Sequence, residues 1–573
     1  MTQHNRRDRP WIPALITLCL GPVAGVAAAE LPASPCPRPA PGSTVPEPVE
    51  LRSRNGILKL KLAVRNHTEP DGSVRYCYLL SDGTQSPTLR LHPGDLLILK
   101  LRNELSAGVP AITKTRGSSD PCRSGAMTPV STNLHFHGLT VPPLCHQDEV
   151  LRTSIQPGDA PFEYRFRIPF GEPPGLYWYH PHIHGFSKAQ VIGGASGALI
   201  VEGIERANPE LAGLPERVFV IRDQELLNPG APPSRSEPVV PRALIDRDGD
   251  SANNGTGFGQ PAKDLSINFV PVPYPDYPPA SIFMRPAERQ LWRILNASAI
   301  TYLNLALISA HTPQQLGIVA IDGVPLAGNG SPARGVEWRD HVGLPPGGRV
   351  EFIVTAPAPD APALFVTRAV DTGLGGENDP NRPLALVVAV SEAPEPRAAL
   401  PASPQPLPRT ALPWLGSVRP VRTRRLYFSE KLEDPSNSNS ATTFYLTVEG
   451  QTPAPFDPAS TEPNIIARQG DVEDWIIENR SSELHAFHIH QVHFLLLDMS
   501  GTPVDEPFLR DTVNVPYFSD RMLKFPSVRL RMDFRDPNAV GTFVYHCHLL
   551  EHEDGGMMGL IRVEPSGAAA AAP

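Results

Sequence analysis

A polar turn followed by a run of apolar residues recurs three times along the chain. It reads TLRLHPGDLLILKLRN at 88–103, IFMRPAERQLWRILN at 282–296 and NIIARQGDVEDWIIEN at 464–479. Each copy places an acid at the turn (Asp95, Glu288, Asp471) and an asparagine eight residues later (Asn103, Asn296, Asn479). The residues between are apolar and β-prone, the pattern of a strand leaving a turn. The copies lie much further apart than the roughly 20–50-residue period of a solenoid. They predict three copies of one β-domain, spanning 48–205, 206–395 and 421–565. With sparse helical periodicity, the fold class is all-β, a chain of three β-sandwiches. The stretch APEPRAALPASPQPLPRTALPW at 393–414 marks a proline-rich linker, assigned to 396–420, and the alanine-rich 566–573 reads as a disordered tail.

Residues 228–279 are rich in Pro, Gly, Asn and Asp and read as a long surface loop of the second domain. Within them Asp246, Asp248 and Asp250 are spaced like the start of a calcium loop. Ser251 stands at position six and Gly257 at position twelve, where such a loop needs Gly and Glu, so a solvated turn is the better reading.

Length adds that 573 residues are too many for one core. A hydrophobic share of 40% and a charged share of 19% fit a globular protein, and 68 prolines favour short strands and turns over long helices. The net charge of −9 argues against nucleic acid or an anionic membrane as partner. Residues 1–29 read as a signal peptide: Arg6 and Arg7, an apolar run broken by Pro13 and Pro22, then small residues ending at Ala29. The protein is expected in the periplasm or outside the cell. The arginine pair resembles a twin-arginine leader, but the residues after it do not continue that motif, so the export route stays open. Outside the leader and Cys547 there are four cysteines, which allow three pairings. Cys36–Cys77 and Cys122–Cys145 are favoured, in keeping with an oxidising compartment.

Histidines change the picture most. Twelve of the 18 lie in four short segments: NLHFHG (His135, His137), YHPHIHG (His180, His182, His184), ELHAFHIHQVHF (His485, His488, His490, His493) and YHCHLLEH (His546, His548, His552). The unit is His-x-His on an expected strand, where both rings point to one face about 6–7 Å apart. One such pair is weak evidence. Four pairs place eight imidazoles that need a common partner once buried. GLYWYHPHIHG aligns with GTFVYHCHLLEH, Gly175 over Gly541, so the first and third domains are repeats that each present two pairs. Cys547 points away from its neighbours His546 and His548 and can ligate a different metal. A thiolate with two histidines and a weak axial methionine is the blue-copper set. His552 and Met557 follow Cys547, and His485 is the upstream candidate. A single cysteine with an added methionine argues against structural zinc.

These four motifs resemble those of the multicopper oxidases, a family of three cupredoxin-like Greek-key domains, over most of the mature chain. The spacing His-Cys-His-x3-His-x4-Met is highly specific, and HEDGGMM is similar to the tail of bacterial spore-coat laccases and bilirubin oxidases. The resemblance implies four copper ions. It assigns type 1 copper to His485, Cys547, His552 and Met557, type 2 to His135 and His488, and the type 3 pair to His137, His180, His182, His490, His546 and His548. His184, His493 and His146 are not carried over, and Met558 is the less favoured axial ligand. Acids in the neighbourhoods of Asp148 and Glu553 relay protons in the family. The spacing after His137 departs by about two residues from better-known members, so Glu149 competes with Asp148.

The implied activity couples one-electron oxidation of phenols or aromatic amines to four-electron reduction of dioxygen to water. The alternative within the family is a metallo-oxidase acting on Cu(I), Fe(II) or Mn(II). Cuprous members often carry a Met-rich segment, whereas this chain has eight scattered methionines. A blue-copper electron carrier is the non-enzyme alternative, but it has no use for the other histidine pairs.

Overall fold

Each of the three sequence repeats forms a strand, a tight turn and a second strand. The pairs are Thr88–Leu91 with Leu96–Asn103, Ala280–Met284 with Arg289–Asn296, and Ile465–Arg468 with Val472–Asn479. In each turn the acid's N–H donates to the carbonyl three residues back, Asp95 to His92, Glu288 to Arg285 and Asp471 to Arg468, at 3.0–3.1 Å. These features come from a computed structural model, which describes residues 34–106, 120–124, 127–231, 260–327, 331–332, 334–394, 398–401, 412–434 and 441–567. The expected leader, the aspartate-rich stretch at 246–250, residues 396–397 and 402–411 of the linker, and most of the tail lie outside the described residues.

The two strands of each repeat enter different sheets. The strand before the turn pairs in parallel with a strand late in its third of the chain: Gly197–Val201, Arg382–Ala389 or Met558–Glu564. The strand after the turn pairs in parallel with an early one: Ile57–Thr68, Pro215–Gln224 or Arg422–Leu432. Two sheets therefore face each other in every third, with five and four strands, nine and six, and seven and five among the described residues. Apolar side chains from both sheets fill the space between them. Trp292 anchors the middle core and Trp475 the last, both fully buried. This is the all-β sandwich architecture expected.

The repeated asparagines explain why the pattern includes them. Asn103, Asn296 and Asn479 are buried, and each donates its amide to two backbone carbonyls. The acceptors are Val130 and Ile155, Thr301 and Leu344, and Glu483 and Val515, at 2.7–3.1 Å. Each also accepts the N–H of the residue two positions on, Leu105, Ser298 or Ser481. One side chain thereby satisfies three backbone groups where the chain leaves the sheet.

Both favoured disulfides, Cys36–Cys77 and Cys122–Cys145, are formed, and Cys547 is free and buried. The loop expected over 228–279 is corrected in part. Asp264–Ile267 and Val270–Val272 are strands that form a hairpin at one edge of the nine-stranded sheet. Pro271 is tolerated because an edge strand leaves one side of its backbone unpaired. Between the first and middle sandwiches, the fully buried Arg90 meets Glu50 at 2.8 Å, Glu202 at 3.1 Å and Glu216 at 2.6 Å. Glu216 also binds Arg293 at 2.7 Å. No described helix is long and apolar enough to cross a membrane.

Candidate metal centres

Adjacent strands present the histidine pairs. His135–His137 runs antiparallel to Gly175–His180, setting His135 opposite His180. His485–Ile489 runs antiparallel to Gly541–Cys547, setting His488 opposite His546. Only the first pair lies wholly within a strand, which corrects the expectation for the other three. His182, His490 and His548 stand just past strand ends, where the backbone leaves the ladder and can turn a ring toward the facing domain. Pro181 has no N–H with which to extend its strand.

The eight rings interleave. His135 stacks on His490 with centroids 3.8 Å apart, and His137 stacks on His488 at 3.9 Å. His182 lies 5.2 Å from His546, and His137 lies 5.0 Å from His548. The first and last thirds thus meet through their imidazoles, all buried. Seven of the rings keep a buried nitrogen with no hydrogen-bond partner: Nε2 of His135, His180, His182 and His488, Nδ1 of His137 and His490, and both nitrogens of His548. Burial pulls the imidazoles below their ordinary value, to about 3 at His180 and about 4 at His546. In His135, His137, His182, His488, His490 and His548 burial is joined by neighbouring imidazoles pushing the same way. Neutral rings with unused lone pairs are what metal ions bind. Three overlapping sets have ligand atoms mutually within 4.8 Å: His135, His488 and His490; His135, His137 and His180; His182, His490 and His546.

A second site uses sulfur. Cys547 Sγ lies 3.6 Å from His485 Nδ1 and 3.7 Å from His552 Nδ1, and those nitrogens are 3.2 Å apart. Met557 is buried in the same apolar cluster as Cys547, and its carbonyl accepts the Cys547 N–H at 3.1 Å. Met558 packs in a separate cluster with Val150, Val544 and Leu560. A thiolate with two imidazoles suits copper or zinc. The outer nitrogens are already held: His485 Nε2 by Ser481 Oγ at 2.8 Å and Glu430 Oε1 at 3.1 Å, His552 Nε2 by Glu483 Oε1 at 2.9 Å.

Comparison with known proteins agrees with this geometry. Residues 126–206 and 429–567 each match a family model described as multicopper oxidase. Its first and last thirds therefore carry multicopper oxidase domains. A multicopper oxidase of Staphylococcus haemolyticus is 23% identical over 484 residues, 83% of this chain and 81% of the relative. A laccase of Bacillus subtilis is 23% identical over 67% of this chain and 69% of its own length. Among solved structures, the 2F4 variant of McoA from Aquifex aeolicus aligns with TM-score 0.63 at 18% identity, covering 91% of this chain and 99% of that one. A Campylobacter jejuni multicopper oxidase described as a metallo-oxidase aligns with TM-score 0.61 at 22% identity, covering 93% and 97%. This multicopper oxidase is accordingly an oxidoreductase that uses oxygen, and its family implies copper ions.

Carboxylates surround the oxidase's histidine cage. Asp148 is buried with Oδ1 and Oδ2 at 3.0 and 3.1 Å from His135 Nδ1, and its Oδ1 accepts the Phe136 N–H at 2.9 Å. Glu149, the competing acid, turns elsewhere and accepts from the N–H groups of Arg152 and Thr153. Glu553 is buried with Oε2 3.2 Å from His546 Nδ1 and Oε1 3.7 Å from His182 Nε2. His184 and His146 make local contacts, with Met127 Sδ and the Glu163 carbonyl. His493 faces the Asp322 carbonyl at 3.2 Å. Sequence reasoning missed Asp322, Arg349, Glu430, Glu483, Gln491 and Asp511. Glu483 and Gln491 lie inside the segment ELHAFHIHQVHF but carry no signal of their own role, the other four stand in no motif, and only the fold brings each to the site.

Proposed function

We propose that this chain is an exported, laccase-like oxidase that takes single electrons from phenols or aromatic amines and reduces dioxygen to water. His485, Cys547, His552 and Met557 would hold type 1 copper, and His135 and His488 type 2. His137, His180, His182, His490, His546 and His548 would hold the type 3 pair. When bound, copper supplies a one-electron relay at sulfur and, in the cage, the store of electrons that dioxygen reduction needs.

The observation that carries this reading is the placement of Cys547 directly between His546 and His548. The sulfur belongs to one site and both neighbouring rings to the other, so a short covalent path joins them. Water formation consumes protons. Asp148, against His135, and Glu553, between His182 and His546, are the acids in place to pass them inward. The leader-like residues 1–29 and two disulfides support export.

One observation favours a second donor class. Glu430 and Glu483 hold the outer nitrogens of both imidazoles at the sulfur site. Such a carboxylate pair suits a low-valent metal cation such as Fe(II), Cu(I) or Mn(II). The scarcity of methionine leans back toward organic donors. Oxygen uptake by the copper-loaded protein against phenols, bilirubin and these three ions tests the proposal. Blue protein that consumes no oxygen with any of them is an electron carrier instead.

A further inference from the structure

The middle third supplies none of the cage histidines, yet one of its side chains reaches the cage. The Arg349 guanidinium is fully buried and all five of its N–H groups are used. It forms a two-pronged pair with Asp511, at 2.7 Å to Oδ1 and 2.6 Å to Oδ2. Its remaining hydrogens go to the carbonyls of Leu176 at 3.2 Å, Gly347 at 3.2 Å and Asp322 at 2.9 Å. One guanidinium thereby binds all three thirds of the chain.

Asp511 in turn holds two cage rings by two different oxygens. Its carboxylate Oδ1 lies 3.2 Å from His137 Nε2, and its backbone carbonyl lies 2.8 Å from His488 Nδ1. With those nitrogens carrying the protons, the unused lone pairs are Nδ1 of His137 and Nε2 of His488, the two atoms left without partners. One residue sets opposite tautomers in two stacked rings. Asp322 fixes Asp511 from behind, accepting the N–H groups of Asp511 and Thr512 at 3.1 and 3.2 Å. The same middle-third segment also presses on a third ring. Gly347 has φ +82°, and a Cβ there would lie 2.7 Å from the His548 ring.

We propose that Arg349 is a positioning residue of the copper cage, acting through Asp511 to fix the orientation and tautomers of His137 and His488. This rests on the copper cage proposed above. It assigns the middle domain a role in the oxygen-reducing site, to which it gives no ligand. Partners of this kind orient ligand rings and raise their basicity, and losing one typically costs about 10- to 100-fold in metal affinity or activity. Lysine keeps the charge but cannot form the planar fork.

The test compares copper-loaded wild type, Arg349→Lys and Arg90→Lys. Arg90 is the control because it is equally buried and holds three carboxylates between domains, but it touches no histidine. The readouts are thermal stability, the blue absorption band, copper released to a chelator, and the electron paramagnetic resonance signal of the non-blue copper. Arg349→Lys is expected to keep the blue band, to release cage copper about 10- to 100-fold more readily, and to change the non-blue signal. Arg90→Lys is expected to lose stability while leaving release and signal as in wild type. Wild-type release and signal in Arg349→Lys, or equal damage from Arg90→Lys, overturns the proposal. Should Arg349→Lys not fold, Thr512→Val carries the test. It removes the hydroxyl that donates to Asp511 Oδ1 at 2.9 Å and lies 3.4 Å from His488 Nδ1, and unchanged release and signal there overturn the proposal equally. A wild-type protein that holds blue copper but none in the cage defeats instead the function proposed above, and the inference with it.

Discussion

Gln491 donates its side-chain amide to Asp148 Oδ2 at 2.6 Å, joining the residue after His490 to the acid that faces His135. Gln491 reaches it from a left-handed backbone conformation, φ +58°, at the point where the chain leaves the third histidine pair. The first and last thirds are therefore tied by a polar contact immediately beside the stacked His135 and His490 rings. Asp148→Asn keeps the shape of this contact but removes the exchangeable acid. Oxygen turnover is expected to fall by about 10²- to 10⁴-fold, the range of general acid–base contributions, with the blue band and copper content retained. Glu149→Gln, which alters only a local turn, should leave turnover near wild type. Equal losses in both variants would remove Asp148 from the proton route.

Glu430 and Glu483 make donor charge a readable variable. The double variant Glu430→Gln, Glu483→Gln replaces two carboxylates by neutral amides of similar shape. Local fields of this kind change encounter with charged substrates by about 10- to 1000-fold. The kcat/KM for Fe(II) or Cu(I) is expected to fall at least tenfold, and that for a neutral phenol to change far less. Parallel losses for both donor classes would mean that the two acids serve the imidazoles alone and not a cationic substrate.

The repeated asparagines give a stability prediction away from any metal. Asn296→Ala leaves the buried carbonyls of Thr301 and Leu344 and the N–H of Ser298 without their partner. Each buried group left unpaired costs about 1–3 kcal/mol, so with three such groups a loss of at least about 3 kcal/mol is expected from denaturant unfolding. Asn103→Ala and Asn479→Ala should cost similar amounts, because the three side chains make the same bonds.

Those asparagines also show what could be read from the sequence and why. They recur because the same backbone problem recurs three times, and a repeated solution leaves a repeated letter. The histidine pairs were legible for a similar reason: metal ligation demands particular residue types at short spacing, so the demand is written locally. Arg349, Asp511 and Gln491 were not legible. Arg349 follows PPGG and opens an ordinary strand, and nothing nearby reveals that its guanidinium will be buried against a residue more than a hundred positions away. Likewise Asp148 and Glu149 are adjacent acids of similar chemistry. Which one faces His135 depends on how the segment between Pro142 and Thr153 turns, a matter of tertiary packing.

Glu172 supplies a pH dependence separate from the metal sites. Its side chain is buried, Oε2 accepts the Thr140 N–H at 3.1 Å, and Oε1 has no partner. Burial, with some repulsion from Asp536, pushes the carboxyl up from 4.5 to about 8, against the downward pull of the Thr140 N–H. Between those values the folded chain keeps a proton that the unfolded chain has released. Stability from this group is therefore fully present below pH 4.5 and declines as pH rises toward 8. The slope for one proton is at most about 1.4 kcal/mol per pH unit. Glu172→Gln carries no titrating group at that position. It should lose less stability than wild type between pH 5 and pH 8, and the gap between the two should narrow or reverse toward the alkaline end. Thermal unfolding of both proteins across that range reads the difference directly. A difference that stays constant with pH would show that Glu172 is already ionised in the folded protein.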